Sequence, residues 1–332
     1  MKKALIISTI VFLVACIAFG ISVAATGLRE KNFSLKIGLE RLIGIESLKA
    51  GEEKTYDFSE EINDIEIATS AAEVSVRTID SDIARVIYRS GTGGLSFSAK
   101  MEGDTLKIEE KGAFFVLFDL GDNDSQLEIF LPAKEYGDIS VASASGNIDI
   151  ENLVCEEFVS VTTSGDTDYE IYAENIDIYT TSGSVNASNC TDRKAENITI
   201  GSVSGNHTIK GFGTEDYNIY TTSGEIRVDG LSGKGEVALT SGEIYLSFAE
   251  WDGDISIDAV SGEVDITLPA GSGVVVDLDA VSGGVDVELE TAEGEGAGTA
   301  NLSGESSSGV IGGSNSHKVN VDLVSGEVEI HN

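Results

Sequence analysis

Two prolines, three histidines and one tryptophan in 332 residues leave little material for several kinds of site. Helix signals are scarce, and so few prolines beside 38 glycines suit a chain of strands and turns. His207, His317 and His331 have no neighbouring partner at metal-ligand spacing, and no Ser-His-Asp arrangement assembles around them. Trp251 stands alone, so aromatic platforms for sugar rings are few. Basic residues are short as well. Lys and Arg total 21 against 57 Asp and Glu, giving a formal net charge of −36. So acidic a surface argues against nucleic acid and anionic lipid as partners, and by itself gives a soluble, self-repelling exterior. Two superficial motifs also fail. Gly201-Ser202-Val203-Ser204-Gly205 lacks the central serine of a nucleophile elbow, and the glycine-rich Gly294–Gly298 lies between no strand and helix.

What the chain does have is a repeat. Nine Ser-Gly dipeptides occur, with glycines at 146, 165, 183, 205, 224, 242, 262, 283 and 326. Successive spacings are 19, 18, 22, 19, 18, 20, 21 and 43 residues, the last about two periods. A period near 20 residues marks a stacked-coil array. Around Gly183, Ile176, Ile178 and Thr180 precede at odd offsets, and Val185 and Ala187 follow at even ones. The same pattern surrounds Gly146, Gly262 and Gly326. Alternation of period two is a strand with one buried face, and the change of parity across Ser-Gly requires a corner that keeps that face inward. Around Gly165 the offsets read Phe158, Ser160, Thr162, Thr167 and Tyr169, which predicts a one-residue slip to Val159 and Val161 at a bulge. A copy without glycine is centred on Ala72, so the array is expected to start near Glu61.

The expected fold is all-β: a single-stacked, right-handed parallel β-helix of about ten coils, roughly 50 Å long at ~4.8 Å per coil, preceded by an N-terminal transmembrane helix. Residues 1–25 are read as the membrane segment, 26–60 as a juxtamembrane segment and cap, and 61–332 as the solenoid, with Thr291–Lys318 as a flexible insertion that doubles the last spacing. Met1-Lys2-Lys3 precedes a charge-free run, Ala4–Ala25, long enough to span a bilayer. It fits a retained signal anchor, a signal peptide cleaved after Ala24, or a lipoprotein signal with Cys16 lipidated. All three export the solenoid and place it outside the cytoplasm. Within the solenoid, one coil should separate Cys155 from Cys190, putting their Cα atoms roughly 10 Å apart and beyond disulfide reach, so both are expected to remain free as small core residues.

Stacking brings like charges together. Glu225, Glu243 and Glu263 follow the glycine in three coils, with Asp265 and Asp286 two positions further along their strands. Such a ladder is either a solvated acidic face or a weak site for a divalent cation, although the nonapeptide calcium repeat is absent. No catalytic, cofactor-binding or metal residue is assigned, and the chain reads as a non-enzyme.

The unit Thr-Ser-Gly-Glu-Ile, at Thr222–Ile226 and Thr240–Ile244, resembles the repeat of the bacterial domain-of-unknown-function-4097 family, which carries the label "putative adhesin". So do Leu131-Pro132 followed by Asp138-Ile139-Ser140-Val141, and the terminal Val324-Ser325-Gly326-Glu327-Val328. The resemblance covers about residues 63–332. It implies a β-solenoid exposed at the bacterial envelope, in some relatives linked to envelope stress, and no catalytic residues. The expected function is a membrane-anchored, non-catalytic interaction module for an envelope polymer or protein partner. The alternative is an accessory or sensor subunit of an envelope-stress system.

Overall fold

The computed structural model describes residues 48–91, 96–111, 125–289, 298–303, 306–311 and 316–332. Ala4–Ala25, with Cys16, and most of the expected juxtamembrane segment and cap, 26–60, lie outside these residues. Among the described residues no helix is long and apolar enough to cross a membrane, and all regular structure is β.

Each coil contributes one strand before the Ser-Gly corner and one after it. The chain begins with β1 (Glu53–Phe58), β2 (Asp64–Thr69), β3 (Glu73–Ile79), β4 (Ala84–Arg89), β5 (Ser96–Glu102), β6 (Thr105–Lys111) and β7 (Gln126–Pro132). The regular array follows: β8 (Glu135–Ser143), β9 (Ile148–Thr162), β10 (Thr167–Thr180), β11 (Val185–Asn189), β12 (Ala195–Ser202), β13 (Asn206–Lys210), β14 (Thr214–Thr221), β15 (Glu225–Leu231), β16 (Lys234–Leu239), β17 (Glu243–Phe248), β18 (Ile255–Ala259) and β19 (Glu263–Thr267). The chain ends with β20 (Gly273–Ala280), β21 (Gly284–Leu289), β22 (Gly298–Ser303), β23 (Ser306–Ile311), β24 (Ser316–Leu323) and β25 (Glu327–His331).

Two parallel stacks result. Before the corner the order in space is β6, β2, β8, β9, β10, β12, β14, β16, β18, β24, β20. After it the order is β7, β3, β9, β10, β11, β13, β15, β17, β19, β25, β21. Alternate residues of both stacks form one continuous core, from Ile65 and Leu127 at one end to Val276 and Val287 at the other.

The stack does not follow the sequence at either end. The Ala72 coil, β2 and β3, lies inside the later coil formed by β6 and β7. The last coil, β24 and β25, lies between β18–β19 and β20–β21, so the C-terminal strand is hydrogen-bonded on both sides. This corrects the expected insertion at Thr291–Lys318. That stretch contains β22 and β23, which pair antiparallel with β21 and β20 on the outer side of the terminal coil. The doubled spacing therefore reflects a chain that forms the end of the stack and then returns to fill the rung before it. Antiparallel strands also close the other end, β5 on β6 and β4 on β7, with β1 on β4.

The predicted slip near Gly165 is absent. Phe158, Ser160, Thr162, Thr167 and Tyr169 are all buried, while Val159 and Val161 are only half-buried on the outer side. The two polar groups tolerate the core because Ser160 Oγ and the Tyr169 hydroxyl hydrogen-bond at 2.6 Å. The register shift lies instead between Tyr169 and Ile171.

The corners explain the dipeptide. Gly183 has φ of 106°, and a Cβ there would run into the carbonyl of Gly165 one rung back. Serine has a reason of its own. Each of the nine Ser-Gly serines donates its hydroxyl to a backbone carbonyl on the adjacent rung, at 3.2–3.4 Å. Ser325 bonds to Val260 and Ser282 to Val324, which repeats the inverted order of the last two rungs. Backbone amides at the corners point the same way, as in Ser182 to Thr163, Ser204 to Thr181 and Ser241 to Thr222.

A one-directional column of donors leaves its first rung without acceptors. Glu110 fills that position. Its Oε2 accepts the amides of Ser70, Ala71 and Ala72 at 2.9, 3.0 and 3.2 Å, and its Oε1 accepts the Tyr88 hydroxyl at 2.8 Å. A buried carboxylate thus closes the donor end of the corner column, as an acidic cap closes a helix.

Candidate functional site

The expected carboxylate ladder forms, and it is longer than expected. Glu225, Glu243 and Glu263 are register partners on consecutive rungs, and Glu327 continues the row because β25 stacks on β19. Two positions along, Asp265, Glu329 and Asp286 form a second row. The sequence reading missed Glu327 and Glu329 because it placed the last coil beyond Gly283. Glu243, Glu263 and Glu327 line a shallow open groove with Gly242, Gly262 and Gly326 at its base.

Charge along the row is uneven. Arg227 pairs with Glu225 at 3.4 Å and lies over the Tyr245 ring, 4.3 Å from its centroid. The Tyr245 hydroxyl donates to Glu243 at 2.8 Å, which pushes that phenol up to about 12. No described basic side chain lies within ion-pair distance of Glu263 or Glu327. Desolvation, then Glu329, Glu243, Glu327 and Asp265, raise the Glu263 carboxyl above its ordinary value. Asp265 meets His331 Nδ1 at 3.3 Å. Among the described residues no group of three or more His, Cys, Asp or Glu side chains is placed to hold a metal ion. The row is a string of like charges held at the spacing of the rungs.

The other sequence candidates lie elsewhere. His207 points inward and is buried, with Nε2 2.6 Å from Ser202 Oγ and Nδ1 unpartnered. Burial pushes its pKa down to about 4. This Ser-His contact spans the corner inside the core, in register with Thr162 and Thr167 and so nearer the corner than the Ser160–Tyr169 bond, and is closed to substrate. Trp251 is buried against Phe248, and its indole N–H donates to Gly273 at 2.9 Å, so it is no surface platform for sugar. Cys155 and Cys190 are both free, with Cys190 Sγ 3.6 Å from the Leu153 carbonyl. His317 stands 3.6 Å from Asp254, apart from the other histidines.

One arrangement gave no sequence signal. On the outer face before the corner, Tyr179 and Tyr220 flank Gly201, where a Cβ would overlap the Tyr220 ring. The Tyr179 hydroxyl lies 3.5 Å from Asp177, whose carboxyl burial raises. Only register, which isolated repeats do not reveal, brings these residues together.

The Toastrack family DUF4097 matches the chain over residues 62–331. This chain is a Toastrack protein. Its solved neighbours are distant. One is a putative adhesin from Parabacteroides distasonis, 13% identical with a TM-score of 0.46 over 84% of this chain and 97% of that one. A second is a putative adhesin from Parabacteroides merdae, 12% identical with a TM-score of 0.44 over 85% and 98%. A third, also from P. distasonis, bears the name putative lipid binding protein, at 13% identity and a TM-score of 0.39 over 83% and 97%. No curated protein matches. The Toastrack assignment therefore rests on the family match and on the repeated corners, and it carries no activity with it.

Proposed function

We propose that this Toastrack chain is a non-catalytic interaction module of the bacterial envelope, tethered through Ala4–Ala25 and presenting a rigid acidic surface to an envelope polymer or protein. The observation that supports this best is the row Glu225–Glu243–Glu263–Glu327, which crosses four consecutive rungs and whose last three members line an open groove. Solenoids hold such rows at fixed spacing, so a partner with regularly spaced positive groups gains several contacts at once. The parts a catalytic centre needs are not gathered in the groove: its walls carry carboxylates, and the Ser202–His207 contact lies in the core.

The test is co-sedimentation of the full chain with purified envelope fragments, before and after stripping of their protein. The expected result is binding that weakens about tenfold in Glu243→Gln/Glu263→Gln/Glu327→Gln, and that falls with salt. Binding indifferent to all three substitutions would overturn the reading. Retention after stripping assigns the partner to polymer, and loss assigns it to protein.

A further inference from the structure

The two ends of the stack differ in how they treat their open edges. At the end nearer the N-terminus the edge strands are β1 and β5, each paired on one side among the described residues. β1 carries Glu53, Lys54 and Asp57, and β5 carries Lys100 and Glu102. Charges of this kind, lysine above all, are how natural sheets prevent edge-to-edge pairing. At the other end the edge strands are β22 and β23, again each paired on one side. Their sequences, GTANLS and SSSGVI, contain no charge and no proline. In a chain of net charge −36, two adjacent uncharged edge strands are a departure that nothing in the core requires.

We propose that this terminal edge, β22 with β23, pairs with the same edge of a second copy, joining two rods tip to tip. An antiparallel strand pair related by a twofold axis is self-complementary, so one edge supplies both halves of the contact. The bodies of two copies repel each other, and the uncharged strands β22 and β23 are where their backbones approach at least electrostatic cost. The charged edges at the opposite end stop further addition, so the assembly closes at two copies. If the chain is tethered at its N-terminus, as proposed above, the joined tips lie away from the membrane and link two anchored molecules. The tip contact itself does not depend on the tether or on the acidic row.

The experiment is analytical ultracentrifugation with small-angle scattering on the full chain, across a concentration series at low and high salt. The expected result is a doubling of mass with close to a doubling of maximum dimension. Salt should strengthen the dimer, because it screens repulsion between the bodies and leaves uncharged backbone pairing intact. Asn301→Lys/Ser308→Lys should weaken association at least tenfold without changing the melting temperature. Thr299→Lys/Val310→Lys serves the same purpose if the first variant folds poorly. A chain that stays monomeric at every concentration overturns the proposal, as does a dimer of unchanged length or one indifferent to both lysine pairs. None of these results touches the binding of envelope fragments, which depends on the acidic row.

Discussion

At Glu110 a single carboxylate takes three successive amides and a tyrosine hydroxyl in a buried setting. Glu110→Ala removes the acceptor of three buried amides and leaves the Tyr88 hydroxyl only Ser125, and is expected to lower stability by about 3–5 kcal/mol, whereas Glu110→Gln, which keeps one acceptor oxygen, costs about 1–3 kcal/mol. Chemical denaturation of the two variants separates these values. The absence of a loss in either variant would mean that charge and acceptors at this point do not matter. His207 gives a prediction in pH. Its folded pKa, near 4, lies below the ordinary value of about 6.5, so the unfolded chain binds the proton more readily between the two. The stability from a neutral His207 is complete above about pH 6.5 and is lost as pH falls toward 4, by up to about 3 kcal/mol. In Ser202→Ala/His207→Leu that slope should disappear from a pH series of denaturation curves. A variant with the wild-type slope would place the titration elsewhere.

At the scale of the strand, the carboxylate row opposes its own register. Like charges directly opposite on neighbouring strands cost roughly 0.2–1 kcal/mol each. Glu263 has a raised pKa, so the sign is opposite to that of His207. The folded chain takes up the proton first, repulsion is relieved as pH falls through the folded value, and Glu263→Gln should stabilise at neutral pH by about 0.5 kcal/mol after screening. Calcium at matched ionic strength should raise the melting temperature no further than sodium does, since the row does not converge on one point. A calcium-specific rise lost in Glu263→Gln would show a real ion site. Much of this was legible in the chain. Alternation around Gly183 and Gly262 gives the strands, and Ser-Gly gives the corners. What could not be read was which rung lies next to which. Coils with near-identical patterns, such as Ile255–Ile266 and Val319–Ile330, pair equally well with either neighbour, and only the terminal strands decide. The slip expected at Gly165 failed for another reason: a pattern of apolar residues cannot see that Ser160 and Tyr169 satisfy each other inside the core.

At the scale of the molecule, both ends are built by turning back. The first coil is second in the stack, and the last coil is next to last. The strands of the first coil, β2 and β3, and the C-terminal strand β25 are thereby paired on both sides instead of fraying at an edge. Deleting residues 316–332 should therefore open a gap within the stack, lowering the melting temperature by far more than removal of one outer rung would. The extended acidic row and the placing of the uncharged edge strands both depend on this order. Cysteine pairs test it most directly, in a chain whose native cysteines have been replaced. Ser256 and Asn320 are register partners, as are Asn320 and Asp277, whereas Ser256 and Asp277 lie two rungs apart. Neighbouring rungs fall within disulfide reach, and alternate rungs, at roughly 10 Å, do not. Ser256→Cys/Asn320→Cys and Asn320→Cys/Asp277→Cys should cross-link on oxidation while Ser256→Cys/Asp277→Cys stays reduced. A disulfide in the third pair, and none in the first, would show that the coils stack in sequence order and that Glu327 does not follow Glu263 in the row; the second pair cross-links in either order and serves as the control.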